Sequence, residues 1–258
     1  MDLSLTGQTA LVTGGSKGIG RAVAGRLAAE GCTLHLAART GADLEAAKKQ
    51  IMDTTGVAVS IHPLDLSESA NIARLAEACA EVDILINNAG AIPGGDLATI
   101  DEPRWREAWD LKVFGYINLT RAIYGRMAAR GAGVIVNVIG LAGERPAANY
   151  IAGSAGNAGL MGFTRALGGA SPDHGVRVVA VNPGLIATDR MRTLLEKRAE
   201  GEHGDKSRWQ DYLADLPMGR AGTPEEVADT VAFLASPRAS YISGTVVSID
   251  AGASVRNR

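Results

Sequence analysis

The chain is short of cysteine, of charge of one sign, of long apolar runs and of metal-ligand spacings, and each shortage removes a class of function. Its 258 residues include two cysteines, Cys32 and Cys79, set in separate apolar segments, so neither a disulfide framework nor a zinc site is expected. Two buried thiols in a reducing compartment are the plain reading. Lysine and arginine number 26 against 28 aspartates and glutamates, a net charge of -2 that gathers neither nucleic acid nor an anionic membrane. Residues 1–9 lack the basic stretch and apolar run of a secretory signal. Residues 146–164 carry no formal charge, yet Asn149, Ser154, Asn157 and four glycines separate them from the ~20 strongly apolar residues of a spanning helix. Of the four histidines, His35 and His62 lie in strand-like runs, His174 in a turn and His203 among charged residues, with no pair at metal-ligand spacing. A cytoplasmic protein acting on a small molecule, without metal, membrane or nucleic-acid partner, is therefore expected.

What the sequence does have is alternation. Apolar β-like runs cover residues 9–13, 33–38, 57–62, 83–87, 133–139, 176–181 and 245–249, and helical patterns fill 19–30, 42–52, 68–80, 102–130, about 151–167 and 224–235. Strands that are continuous Val/Ile/Leu runs are buried on both faces, which means a parallel sheet. The expected fold is α/β: a doubly wound, seven-stranded parallel sheet of the Rossmann type with helices on both faces. No linker, repeat or low-complexity tract divides residues 1–258, so a single domain is expected. Residues 189–217 form a long insertion after the sixth strand, with Trp209 and Tyr212 among arginines such as Arg190, and read as a lid; a solvated helical hairpin is the alternative. Thr223-Pro224-Glu225-Glu226 reads as a capping box.

After the first strand comes Thr13-Gly14-Gly15-Ser16-Lys17-Gly18-Ile19-Gly20, followed by a helix. Glycines at 14, 18 and 20 permit a tight turn, backbone approach of a pyrophosphate and close helix packing, while the helix start supplies free N–H groups. Gly14, Ser16, Lys17, Gly18, Ile19 and Gly20 are thus candidate dinucleotide contacts. The second strand ends Ala38-Arg39-Thr40, with no carboxylate for a ribose 2′-hydroxyl. Arg39, with Lys17 as a second cation, favours NADP(H) over NAD(H); two surface cations are the competing reading.

These residues, with others along residues 5–252, resemble the short-chain dehydrogenase/reductase family. Asp65-Leu66 is similar to its adenine contact, Asn87-Asn88-Ala89-Gly90 to its fourth-strand motif, Asn182-Pro183-Gly184-Leu185-Ile186-Ala187-Thr188 to its nicotinamide-side motif, and Ser243-Gly244 with Asp250-Ala251-Gly252 to its closing strand. The resemblance implies cofactor contacts at Asp65, Leu66, Asn88, Ala89, Gly90, Pro183 and Gly184. It also implies that Thr188 and the backbone of Ile186 hold the carboxamide. A dimer or tetramer built on two long helices is implied as well.

The resemblance breaks at the catalytic positions. Aligned on Gly162-Phe163-Thr164-Arg165-Ala166-Leu167, Gly153 stands at the family's tyrosine, Asn157 at its lysine and Gly140 at its serine. Aligned on Val113-Phe114-Gly115, Lys112 stands at its asparagine. Two residues offer compensation. Tyr150, three positions before Gly153, falls on the same helix face if the helix starts early. Lys112 brings an ammonium that either lowers the pKa of that phenol or protonates a substrate oxygen itself. Ser154 is a third candidate and Asn157 a fourth. Against them stand Tyr150 as an interface aromatic, Lys112 as filler and Ser154 as a helix-start hydroxyl. Gly153, Gly156, Gly159 and Gly162 recur every third residue, and at ~1 kcal/mol each against alanine they point to close packing of a neighbouring helix or subunit. The leading expectation is an NADP(H)-binding oxidoreductase acting on a small carbonyl or alcohol with an atypical proton donor. A cofactor-binding sensor or partner subunit without turnover, and a lyase on the same fold, stay open.

Overall fold

A strand covered on both faces must be apolar at every position, and Ala10, Leu11 and Val12 have no exposed surface. In the computed structural model, which describes residues 1–256, these residues belong to β1 (Thr9–Thr13). The chain continues through α1 (Gly18–Ala29), β2 (Thr33–Ala38), α2 (Gly41–Thr55), β3 (Val59–Pro63), α3 (Ser69–Ala78) and β4 (Ile84–Asn87). Next come α4 (Glu102–Trp109), α5 (Gly115–Arg130), β5 (Gly133–Val138), α6 (Ile151–Ala170) and β6 (Val176–Pro183). The last elements are α7 (Asp189–His203), α8 (Pro224–Ala235) and β7 (Val246–Ile249). The strands form one sheet in the order β3-β2-β1-β4-β5-β6-β7, every pairing parallel, as expected from the alternation.

Two cores lie on the two faces. Ala10 and Val12 face Val23 and Leu27 of α1 and Val231 of α8, whereas Leu11 faces Leu75 of α3 and Ile123 of α5. The strand order reverses between β1 and β4, so the crevice where such sheets take ligands opens at the carboxyl ends of these two strands.

Three local features depart from the sequence pattern. β3 starts at Val59 instead of residue 57. The expected helix over 102–130 is helical throughout, but Asp110–Phe114 forms a π-turn between α4 and α5, a single wide turn of the kind that often marks a functional position. It carries Lys112. Of the glycine series in α6, Gly156 packs against α4 and the π-turn, where a Cβ would stand 2.9 Å from Val113 and 3.2 Å from Trp109. Gly159 and Gly162 face open space, so close packing within the chain accounts for only part of the series.

Residues 189–217 fold as α7 followed by the 3₁₀ segment Lys206–Leu213, with Met191 and Leu195 packed on Trp209 and Tyr212. Both halves of the Thr223 capping box are made: Glu226 N donates to Thr223 Oγ1 (3.2 Å) and Thr223 N to Glu226 Oε2 (2.8 Å). Among the described residues no helix is long and apolar enough to cross a membrane.

Candidate active site

The loop after β1 and the loop after β4 are laced together. Thr13 Oγ1 accepts from Asn88 N (2.9 Å) and Ala89 N (3.0 Å), and Asn88 Nδ2 donates to Thr13 O (3.0 Å). Gly14 sits at φ +66°, where side chains are rare, and a Cβ there would stand 2.8 Å from Asn88 Nδ2 and 3.0 Å from Ala89 Cα. A Cβ on Gly20 would come within 2.8 Å of Gly14 C. α1 opens after Lys17 with no side-chain cap and no acidic residue in its first turn, leaving its amides free for an anion. The glycines let the two loops and the start of α1 pack this closely, and the free amides that open α1 at their edge fit a pyrophosphate.

Two cavities adjoin it. One, of about 430 Å³, is lined by Gly14, Lys17, Gly18 and Ile19 on the phosphate side and by Asn88, Ala89 and Gly90 after β4. Its far wall holds Lys112, Gly140, Pro183, Gly184, Thr188 and Arg190. The other, of about 340 Å³, has Arg39, Asp65, Ser67, Arg104 and Arg190 around it. Asp65 Oδ1 accepts from Ser67 N (3.0 Å) and Oγ (2.8 Å), and the Leu66 side chain is buried behind it. Ser16 is buried in the glycine loop. Ile186 is buried in the core beside Gly222, while Thr188 caps α7, accepting from Met191 N (3.2 Å).

Two cations at the phosphate corner behave differently. Arg39 is exposed at the end of β2, whereas Lys17, also exposed, pairs with Asp43 of α2 at 2.7 Å. The charge expected from Lys17 is thus shared with a carboxylate that spacing along the sequence did not bring near it.

Lys112 rises from the π-turn with its stem against Gly90, where a Cβ would stand 2.7 Å from Lys112 Cδ. Its Nζ donates to Ile139 O at 2.5 Å and lies 5.9 Å from the ring centre of Tyr116. Burial, and the like charge of Arg190, push its pKa from the ordinary 10.5 down to about 7.

Tyr150 is the residue preceding α6, and its ring lies over Gly153: a Cβ on that glycine would overlap the ring, standing 2.6 Å even from Cδ1. The ring packs among Ile92, Ile100 and Trp105, outside the lining of both cavities. Burial raises the pKa of the phenol, and the charge that opposes this is Arg190, not Lys112, so the expected lowering of the Tyr150 pKa by Lys112 is corrected. Ser154 Oγ accepts from Ala147 N (3.0 Å) and donates to Ala147 O (3.3 Å), bracing the turn before α6. Asn157 is buried, its Nδ2 donating to Gly140 O (3.3 Å) and its Oδ1 without a partner. Gly140 has φ +127°, a conformation that the family's serine would adopt only under strain.

Arg190, expected only as a lid cation, occupies the centre of the site. Its Nη1 donates to Gly90 O (3.0 Å) and its Nη2 to Ile92 O (2.8 Å), tying the start of α7 to the loop after β4. Beneath the cleft, a buried ladder that the sequence reading missed runs from Thr120 Oγ1 through Asn87 Nδ2 (3.0 Å) and Asn137 Oδ1 (2.9 Å) to Thr164 Oγ1 (3.0 Å). Polar residues in otherwise apolar strands, Asn87 and Asn137, were its only signal.

Residues 8–199 match the short chain dehydrogenase family. The chain belongs to it. Galactitol 2-dehydrogenase (L-tagatose-forming) of Cereibacter sphaeroides is 36% identical over 256 residues, covering 97% of this chain and 96% of that protein. The 3-oxoacyl-(acyl-carrier-protein) reductase FabG of Salmonella typhimurium is 34% identical over 257 residues, 97% of this chain and 98% of the other. Among solved structures, L-sorbose reductase from Gluconobacter frateurii, complexed with NADPH and L-sorbose, superposes with a TM-score of 0.93 at 29% identity over the whole of both chains. The relatives of this chain thus include ketoacyl reductases and sugar or polyol dehydrogenases.

Proposed function

We propose that the protein is an NADP(H)-dependent oxidoreductase that interconverts a small carbonyl compound and its alcohol, with Lys112 in place of the family's tyrosine as proton donor and acceptor. The observation that carries this reading is the Lys112 ammonium in the cleft lining, held 2.5 Å from Ile139 O, with its pKa brought to about 7. A general acid or base works best with a pKa near the operating pH and typically contributes ~10²- to 10⁴-fold. Tyr150, outside the cavity lining and with its pKa raised, fills the space beside Gly153.

When bound, the nicotinamide supplies or accepts the hydride. The glycine loop and the first amides of α1 hold the pyrophosphate, Asp65 and Leu66 the adenine end, and Thr188 with the Ile186 backbone the carboxamide. Lys112 Nζ gives its proton to the carbonyl oxygen in reduction, and the neutral amine takes one from the hydroxyl in oxidation. Ile139 O orients that nitrogen and Arg190 keeps its proton labile. Arg39, exposed at the end of β2 where no carboxylate stands, selects the 2′-phosphate, in keeping with the NADPH named for the sorbose reductase. The α7 region acts as a lid through the Arg190 bonds. Ala155, Ala158, Gly159 and Gly162 leave a flat exposed face on α6, suited to a homodimer or tetramer in the cytoplasm.

The test is NADPH and NADH titration followed by turnover on a panel of oxo acids, ketoses and diketones. Saturable binding with turnover lost in Lys112→Met supports the reading. Binding without turnover on any substrate supports the sensor or partner-subunit reading, which the vacated positions Gly140, Gly153 and Asn157 favour. No saturable binding removes both.

A further inference from the structure

The sheet register brings together three side chains that are far apart in sequence. His35 of β2 and His62 of β3 face the core formed by α3 and α5, and Cys79 closes α3 on the same side. His35 Nδ1 lies 2.9 Å from His62 Nε2, the same Nε2 lies 3.8 Å from Cys79 Sγ, and all three atoms fall within 4.8 Å of one another. The two rings are within 16° of parallel. None of the three lines either cavity of the cleft.

We propose that His35, His62 and Cys79 form a binding site for a zinc(II)-type cation, a borderline-soft divalent ion, at the β3 edge of the sheet. A tetrahedral ion with bonds of ~2.0 to 2.1 Å to nitrogen and ~2.3 Å to sulfur sets its ligand atoms ~3.3 to 3.6 Å apart. The observed 2.9 Å and 3.8 Å bracket that span and need shifts of a few tenths of an ångström, while the third pair, His35 and Cys79, lies within 4.8 Å and closes by up to ~1.2 Å as the half-exposed His35 ring turns toward the thiol. Two nitrogens and a sulfur with no carboxylate select zinc over calcium or magnesium. Burial favours the neutral imidazoles, whose lone pairs are what a metal needs. It also pushes the Cys79 thiol up to about 12, so the free site holds a thiol. Binding therefore breaks the Cys79 S–H bond, sends the proton to solvent and forms a sulfur–metal bond, with no change of oxidation state. Water completes the coordination from the side where the histidines are half-exposed.

The experiment uses the full chain, freed of metal by a chelator, with Co²⁺ as spectroscopic probe and Zn²⁺ as competitor. Expected are one Co²⁺ per chain, a thiolate-to-cobalt charge-transfer band, one proton released per ion, and displacement by Zn²⁺. Cys79→Ala and His62→Gln should each weaken binding by more than ~100-fold, the upper end of what losing even an outer-shell partner costs. Circular dichroism and NADPH titration of the same variants establish that they fold. Absence of the band in the unaltered chain overturns the site, as does equal binding by folded Cys79→Ala. Because NADPH binding is read separately, failure here leaves the oxidoreductase reading untouched.

Discussion

The ring of Tyr150 occupies the volume that a side chain at Gly153 would enter, with Cδ1 2.6 Å from where that side chain's first carbon would stand. The glycine is therefore the complement of an aromatic three residues earlier, and the two positions are a single steric unit. The half-exposed ring packs on the cluster of Ile92 and Ile100, contacts it would lose by moving aside.

That unit has a measurable coupling. Gly153→Ala gains about 1 kcal/mol of helix propensity, but the overlap displaces the Tyr150 ring from its packing on Ile92 and Ile100 and costs ~1 to 3 kcal/mol. Thermal unfolding should show a net loss of stability. In a Tyr150→Ala background the same change should stabilise, since only the propensity gain remains. Additive effects in the two backgrounds would remove the steric account.

Lys112→Met should lower turnover by ~10²- to 10⁴-fold while leaving NADPH affinity close to that of the parent. In the parent, carbonyl reduction needs the ammonium and should fall as pH rises through about 7, whereas alcohol oxidation needs the amine and should fall as pH drops through it. The same shift acts on stability. Between about 7 and the ordinary 10.5 the unfolded chain binds the Lys112 proton and the folded chain does not, so folding strengthens with rising pH across that window. Urea unfolding should accordingly show the Lys112→Met variant gaining on the parent as pH falls from 10.5 to about 7, with no further gain below.

Parts of this site were legible in the sequence because their determinants are local. The glycine loop lies between one strand and one helix, so its turn is set by residues 13–20 and the elements beside them. What escaped depends on contacts across the fold. Arg190 bonds the main-chain carbonyls of Gly90 and Ile92, about a hundred residues earlier, and a carbonyl has no sequence signature. The Asp43 partner of Lys17 and the trio His35, His62 and Cys79 need the placement of α2 and the β2–β3 register before they meet. The π-turn at Lys112 is silent because the apolar period of residues 102–130 runs straight through it.

Arg190→Met removes the like charge that depresses the Lys112 pKa. The pH at which carbonyl reduction falls off should therefore move upward; opening of the cleft would rehydrate the ammonium and move it the same way, so the charge effect is read against Arg190→Lys. Arg190→Lys separates the two roles of the residue: it keeps the charge and the original pH limb, but loses the paired bonds to Gly90 O and Ile92 O and so loosens the start of α7. Kinetic pH profiles, with protease sensitivity of residues 189–217 as the second readout, distinguish the two variants. An unshifted limb in Arg190→Met would dismiss Arg190 as the group that tunes Lys112.

Arg39 should be the residue that reads the 2′-phosphate. It stands exposed at the end of β2, facing the cavity that also holds Asp65, and among the described residues it has no ion-pair partner to give up. Lys17 is held by Asp43 at 2.7 Å, so a phosphate must compete with a carboxylate for it. A hydrogen bond to a charged group contributes ~1.5 to 3 kcal/mol, which is roughly 10- to 100-fold in affinity. Arg39→Ala should thus weaken NADPH by that factor and leave NADH nearly unchanged, whereas Lys17→Ala should cost clearly less. Calorimetric titration of both cofactors against both variants decides it. Equal losses for NADPH and NADH in Arg39→Ala would mean that this arginine supports the fold of the loop and reads no phosphate.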